Sequence, residues 1–182
     1  MNDQDLVRQV LNGNAKAFEM LVEMHQRLVS HMVGRIVQRK EDHEEMCQDV
    51  FMRVYDRLDE FNFQSKLSTW IGTIAYRMSL NFIKKKDILS ESEDDLNHIK
   101  IGIESVEDNY IQIDSSDYIN KLIMQLPVNY RTVLTLYHLE DMKYPEIVEI
   151  TGWPEGTVKN YLFRARKLLK DKLDVFLKKE EL

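Results

Sequence analysis

Three clusters in this 182-residue chain have the residue types and spacing to do chemistry. The first is GWPEGTVKNYLFRARKLLK, which places Lys159, Arg164, Arg166, Lys167 and Lys170 on one helical span. Between Gly156 and Lys172 six basic residues face Asp171 alone, a local charge of +5. A field of that kind releases counterions from a phosphate backbone whatever the total charge of the chain. The second cluster surrounds the polar loop FNFQSKLST and the following WIGTIAYRMSLNFIKKK, where Tyr76, Arg77, Asn81 and Lys84 to Lys86 gather beside aromatic rings. Rings that stack on unpaired bases and cations that follow phosphates are what single-stranded nucleic acid requires. Basic residues at a helix C-terminus also complement the macrodipole, so a plain surface explains the same residues. The third is an acidic face formed by Asp42, Glu45, Gln48, Asp49, Met52, Arg53 and Asp56. On its residues alone it reads as solvated surface.

Helices must position all three. Phe18, Leu21, Val22, His25, Leu28, Val29, Met32, Val33, Ile36 and Val37 recur in steps of three and four, which predicts one amphipathic helix of about five turns. A second helix carries Met46, Val50, Phe51, Val54, Leu58 and Phe61 inward. Ser68 or Thr69 is the expected N-cap of a third, opened by Trp70. Its inward set is Trp70, Ile71, Ile74, Ala75, Met78, Phe82 and Ile83, with Thr73, Tyr76, Arg77, Leu80, Asn81 and Lys84 to Lys86 toward the other side and the C-terminal end. Further on, Ile119, Leu122, Ile123 and Leu126 define a short helix stopped by Pro127, and Tyr130, Val133, Leu134 and Tyr137 the next. YPEIVEITG is a two-turn helix with Pro145 in its first turn and Gly152 at its stop. Two helices across a short glycine-containing turn form the helix-turn-helix signature. Such a motif enters the major groove N-terminus first. Glu155, Thr157, Lys159 and Asn160 would then face base edges or phosphates, while Val158, Leu162 and Leu169 pack back.

Net charge is −6, yet residues 1–86 carry +1, residues 87–117 carry −9 and residues 118–182 carry +2. The expected fold is therefore all-α, two small helical domains (1–86 and 118–182) joined by a flexible acidic linker (87–117). The linker acids, Glu93, Asp94 and Asp95 among them, could compete with phosphate for the basic patches. Hydrophobic residues make up 43%, enough for two cores. The single cysteine, Cys47, cannot form an internal disulfide, which suits a reducing cytoplasm. The polar, acidic N-terminus does not read as a signal peptide. No window approaches the roughly 18 apolar residues of a membrane span, so no membrane insertion is expected. His43 and Cys47 stand at i, i+4, two ligands short of the four usual for structural zinc. Neither a phosphate-binding glycine loop nor a nucleophile–base pattern is present, so no catalytic residue, metal or cofactor is expected. An ordinary helix-turn-helix repressor or activator fits the C-terminal lobe as well as any narrower reading.

Taken together, EDHEEMCQDVFMRVYDRLDEF, STWIGTIAYRMSLNFIKKK and LPVNYRTVLTLYHLEDMKYPEIVEITGWPEGTVKNYLFRARKLL resemble the sigma-70 family of bacterial RNA polymerase sigma factors. More narrowly, they resemble the extracytoplasmic-function (ECF) group that keeps regions 2 and 4. The resemblance covers roughly residues 10–86 and 118–173. It implies a transcription initiation factor in which Glu45, Gln48, Asp49 and Met52 dock on the β′ (beta-prime) clamp helices of the polymerase core, with the β (beta) flap as a further contact. It implies that Phe63, Lys66, Ser68, Thr69, Trp70, Tyr76, Arg77, Asn81, Lys84 and Lys85 meet the −10 element, where the loop from Phe61 captures a base flipped out of the non-template strand. Glu155, Thr157, Lys159, Asn160, Arg164, Arg166 and Lys167 would read the −35 duplex. An anti-sigma factor is the further partner the resemblance implies. Asn81, the Lys84–Lys86 run and the Tyr76–Arg77 pair depart from the usual family residues. Phosphate contacts, which need only charge, therefore carry over better than base contacts. Away from polymerase the lobes would either move freely or pack together over their DNA surfaces.

Overall fold

A computed structural model describes the backbone of residues 2–90 and 115–180 and the side chains of residues 2–86 and 118–174. Among the described residues the secondary structure is helical throughout, with eight α helices and no strand. Helix α1 (Asp3–Leu11) is an element that the sequence reading did not anticipate. Asn2 caps it, its Oδ1 accepting from the Asp5 amide at 2.8 Å, and it buries Leu6, Val7 and Val10. Gly13 turns the chain at φ +81°, a conformation that costs glycine little. Asn14 then caps α2 (Ala15–Gly34) through the Lys16 and Ala17 amides. The helix stops at Gly34, short of the Val37 that periodicity predicted. Ile36 and Val37 stay buried because both amides bond back to the Val33 carbonyl.

Helix α3 (Lys40–Asp56) turns Met46, Val50 and Val54 inward, and a 3₁₀ turn, Leu58–Glu60, buries Leu58. Helix α4 (Leu67–Ser90) starts one to two residues before the expected cap. Ser68 and Thr69 are therefore inside its first turn, not at its cap, and Thr69 is fully buried. The Leu67 amide points instead to Asp3 Oδ2 of α1, 3.4 Å away. A cap supplied from another helix leaves no local sequence signal, which is why the boundary was misjudged. These four helices form the first lobe.

The second lobe holds α5 (Ser115–Met124), α6 (Val128–Leu134), a π-helical turn (Thr135–Leu139), α7 (Tyr144–Thr151) and α8 (Glu155–Glu180). Ile119, expected inside, is 39% exposed. Helical backbone continues to Ser90 and resumes at Ser115, inside both ends of the stretch read as linker. Residues 91–114, with Glu93, Asp94 and Asp95, lie outside the described residues.

The two lobes are packed on each other. Helix α4 lies so close to α7 that a Cβ on Gly72 would stand 3.0 Å from Ile150 Cδ1. Tyr76 meets the Trp153 ring edge-on at 6.0 Å. Around this apolar contact Lys66 Nζ reaches Glu146 Oε1 at 2.8 Å, and Arg27 Nη2 donates to the Leu139 carbonyl at 2.7 Å. His31 Nδ1 lies 2.5 Å from Glu140 Oε1. Arg35, buried just beyond α2, donates to Thr135 Oγ1 at 2.8 Å and Asn120 Oδ1 at 3.0 Å. Burial lowers its pKa, and no carboxylate pairs with it among the described residues. Arg131 is only 1% exposed; burial and the nearby Arg35 charge push its pKa down to about 10.

Gly72→Val places a branched side chain against Ile150 and should cost about 1–3 kcal/mol of stability. The expected result is a larger radius of gyration by small-angle scattering with helicity retained; an unchanged radius would contradict the close α4–α7 contact. Glu146 supplies a pH dependence. Burial works to raise its pKa, but the bond from Lys66, the Lys143 amide and their charges outweigh that and leave it below the ordinary glutamate value. Its contribution is thus present above the unfolded value of about 4.3 and lost as pH falls through the lower folded value. Lys66 is 67% exposed, so the pair contributes at most about 1 kcal/mol. Acid titration of Glu146→Gln should lack this component of the wild-type curve below about pH 4.5.

Candidate nucleic-acid interface

Helices α7 and α8 cross through a tight turn. Gly152 ends α7 in the left-handed region, φ +74°, its amide returning to the Val148 carbonyl at 2.8 Å. The Pro154 carbonyl accepts from the Thr157 and Val158 amides and starts α8. Val158, Leu162 and Ala165 are buried against the lobe, which turns the opposite face of α8 outward. On it Glu155, Lys159, Asn160, Arg164, Arg166 and Lys167 are exposed and Thr157 is half-buried, as the helix-turn-helix reading requires. Two of these cations are oriented by neighbours. Lys159 pairs with Glu155 at 2.5 Å, which raises its pKa, and lies 5.3 Å from the Tyr144 ring centre. Arg166 Nε donates to His138 Nε2 at 3.0 Å above the Tyr137 ring, and burial together with the Arg166 charge lowers the His138 pKa. Phe163, which the sequence reading passed over, stands 69% exposed in the middle of this basic face.

The loop before α4 builds a second surface. Phe63 sits at φ +60°, unusual for a ring-bearing residue, and is 45% exposed. Its ring lies 4.7 Å from that of Phe61, which in turn lies 5.5 Å from Trp70. Beside this aromatic stack opens a pocket of about 620 Å³ whose lining includes Asn2, Asp3 and Gln4 from the start of α1. Arg77, Asn81, Lys84 and Lys85 are exposed along α4. Three other expected members of the set face the second lobe instead, and a fourth is buried. Tyr76 is only 4% exposed, and burial pushes its phenol up to about 12. Thr69 is buried, Lys66 is held by Glu146, and Ser68 lines the interlobe cleft. Placing Tyr76 on the outer side of α4 was a misreading. It packs against Trp153, which contacts Tyr161 and, through it, Tyr130. The sequence marked Trp153 only as a turn residue, since nothing in its local pattern tells a turn tryptophan from one at an interlobe contact.

The acidic face of α3 is open: Glu45, Gln48 and Asp49 are exposed and Met52 is 58% exposed. Asp42, farther along the helix, is instead tied to Lys86 at 2.9 Å. His43 Nε2 lies 3.0 Å from the Ser30 carbonyl, and burial raises the Cys47 thiol to about 11, well away from thiolate chemistry. Among the described residues no three His, Cys, Asp or Glu side chains converge as a metal site, and no helix is long and apolar enough to cross a membrane.

Known proteins share this arrangement. Residues 21–88 match Sigma-70 region 2 and residues 116–169 match Sigma-70, region 4. The ECF RNA polymerase sigma-E factor of Haemophilus influenzae is 30% identical across 95% of this chain and 96% of its own length. The RNA polymerase sigma-H factor of Pseudomonas aeruginosa is 29% identical across 97% of this chain and 96% of its own. In fold, the chain resembles the sigma factor RpoE of Bartonella quintana, solved with the anti-sigma factor NepR, at a TM-score of 0.71 and 22% identity over 88% of this chain and 99% of that one. With both regions matched in order and near-complete coverage of its relatives, this chain belongs to the sigma-70 family of RNA polymerase sigma factors, within its extracytoplasmic-function group.

Proposed function

We infer that this ECF sigma factor, a transcription initiation factor that directs RNA polymerase to promoters, divides the task between its lobes. The exposed α3 face, Glu45, Gln48, Asp49 and Met52, binds the polymerase core. The Phe63 loop and α4 take the melted −10 strand, and α8 enters the −35 major groove. The observation that carries this reading is the coexistence of an open basic recognition helix with an open acidic α3 face on one chain. A simple repressor or activator needs the first and has no use for the second. The protein works in the cytoplasm, where core polymerase and chromosome are, and adds no catalytic step of its own.

Recognition by α8 divides into positioning and reading. Arg164, Lys167 and Lys170 follow phosphates, and Lys159 and Asn160 lie nearer the helix start that meets base edges. At −10 the costs differ, because extruding a base takes a few kcal/mol of unstacking that pocket contacts must offset. The pocket beside Phe61 and Phe63 provides stacking surface, and Arg77, Lys84 and Lys85 provide phosphate contacts. Lys66 and Tyr76 join only when the lobes part, since both are held by the second lobe. Core polymerase, by seating each lobe separately, is the agent that parts them. An anti-sigma factor, the partner that accompanies the Bartonella relative, would act by holding or covering the same surfaces.

Run-off transcription with reconstituted core on a promoter library tests the whole reading. Wild type should select templates carrying two elements at fixed spacing; failure to bind core or to initiate from any template would overturn it. Charge reversal at Asp49→Lys should weaken core association about tenfold or more in a pull-down titration while leaving −35 duplex binding intact. Lys167→Ala should weaken −35 binding evenly across sequences and reduce the salt-dependence slope by about one.

A further inference from the structure

The pocket beside the Phe63 loop is not built from the loop alone. Its far wall is the first turn of α1, where Asp3 faces the same space as Phe61 and Phe63. At about 620 Å³ the pocket has room for a nucleobase. The two phenylalanine rings, 4.7 Å apart, supply the apolar stacking surface and carry no sequence information of their own. The polar wall must then decide which base is accepted.

Asp3 is placed to do this. Its Oδ2 is committed to the Leu67 amide at 3.4 Å, which ties the carboxylate to the start of α4. Among the described residues that is the one hydrogen bond the Asp3 carboxylate accepts, which leaves Oδ1 for another donor. A carboxylate only accepts hydrogen bonds, so it suits the exocyclic amines of adenine, cytosine and guanine. Thymine offers a single N–H set between two carbonyl oxygens, and each of those would face the carboxylate as an unpaired acceptor. Lys66, at the same rim, is tied to Glu146 in the free chain; released when the lobes part, it only donates hydrogen bonds, so it suits a phosphate and not an exocyclic amine.

We propose that Asp3, from the N-terminal helix, is a specificity-determining residue of the −10 pocket, admitting an extruded base that carries an exocyclic amine and rejecting thymine. This rests on the −10 reading given above, and its test separates the two. Holoenzyme made from the full chain and core polymerase is bound to premelted promoter templates whose non-template −10 strand is randomised, and retained templates are sequenced. Wild type should show one position where thymine is depleted about tenfold or more. Asp3→Asn keeps an acceptor for the Leu67 amide and adds an NH₂ that a thymine carbonyl can accept from. It should shrink the depletion to about threefold or less at that position alone. Asp5→Asn, which removes the same charge from α1 outside the pocket lining, should keep the wild-type profile. Phe63→Ala should flatten all preference at the position. If Phe63→Ala changes nothing, the pocket does not hold the base and the −10 reading falls. If Phe63→Ala flattens the profile while Asp3→Asn leaves thymine depletion at its wild-type level, or if wild type retains thymine there, the assignment of Asp3 is wrong.

Discussion

The close approach of α4 to α7 is the constraint on which the rest of this structure depends. It exists because Gly72 has no side chain, so Ile150 of the second lobe can reach the backbone of α4, the helix proposed to meet the −10 strand. Once the helices touch there, Tyr76 must lie under Trp153 and Lys66 comes within reach of Glu146. The residues that join the lobes are therefore drawn from those that would meet the melted strand. The α3 face and most of α8 point elsewhere and are left open. One packing contact thus covers Lys66 and Tyr76 while Phe63, Arg77, Asn81, Lys84 and Lys85 of the same set stay exposed.

That contact is built to be reversible. Its charged pairs are partly solvated, and such pairs contribute at most about 1 kcal/mol each. Arg35 is held by a threonine hydroxyl and an asparagine carbonyl, not by a carboxylate, with Arg131 buried nearby. Desolvated guanidiniums without counter-charges offset much of what their hydrogen bonds contribute. The favourable terms are the Gly72–Ile150 approach and the Tyr76–Trp153–Tyr161 ring contacts, of which ring pairs add about 0.5–1.5 kcal/mol each beyond their burial. A large polymerase surface engaging each lobe can exceed a seam of that size.

Much of this was legible in the sequence, and the misses share a cause. Helical periods gave α2, α3, α4 and the whole helix-turn-helix, because each buries a stripe on its own lobe. Val158 and Leu162 are inside, as their spacing predicted, and the basic face of α8 is outside. Errors arose where tertiary contact overrides local pattern. Tyr76 looked like an outward polar-edged ring because its partner, Trp153, is 77 positions away in sequence. The start of α4 was shifted because its cap comes from Asp3. Helix α1 escaped notice because its nine residues bury only Leu6, Val7 and Val10, too few to stand out as a period. Family resemblance supplied the proposed polymerase-docking role of Glu45, Gln48 and Asp49, which their pattern alone read as solvated surface.

The central claim is that the free chain sheathes part of its proposed −10 set, Lys66 and Tyr76 above all, between the lobes and that core polymerase uncovers them. The most direct measurement is single-molecule energy transfer between dyes on Glu19→Cys and Glu149→Cys, both exposed and on different lobes. Cys47, its thiol raised to about 11 by burial, labels poorly at neutral pH. The account predicts one short-distance population in the free protein and a shift to a longer distance on adding core polymerase. A free protein already spread over long distances, or one whose short distance persists unchanged in the holoenzyme, would contradict it.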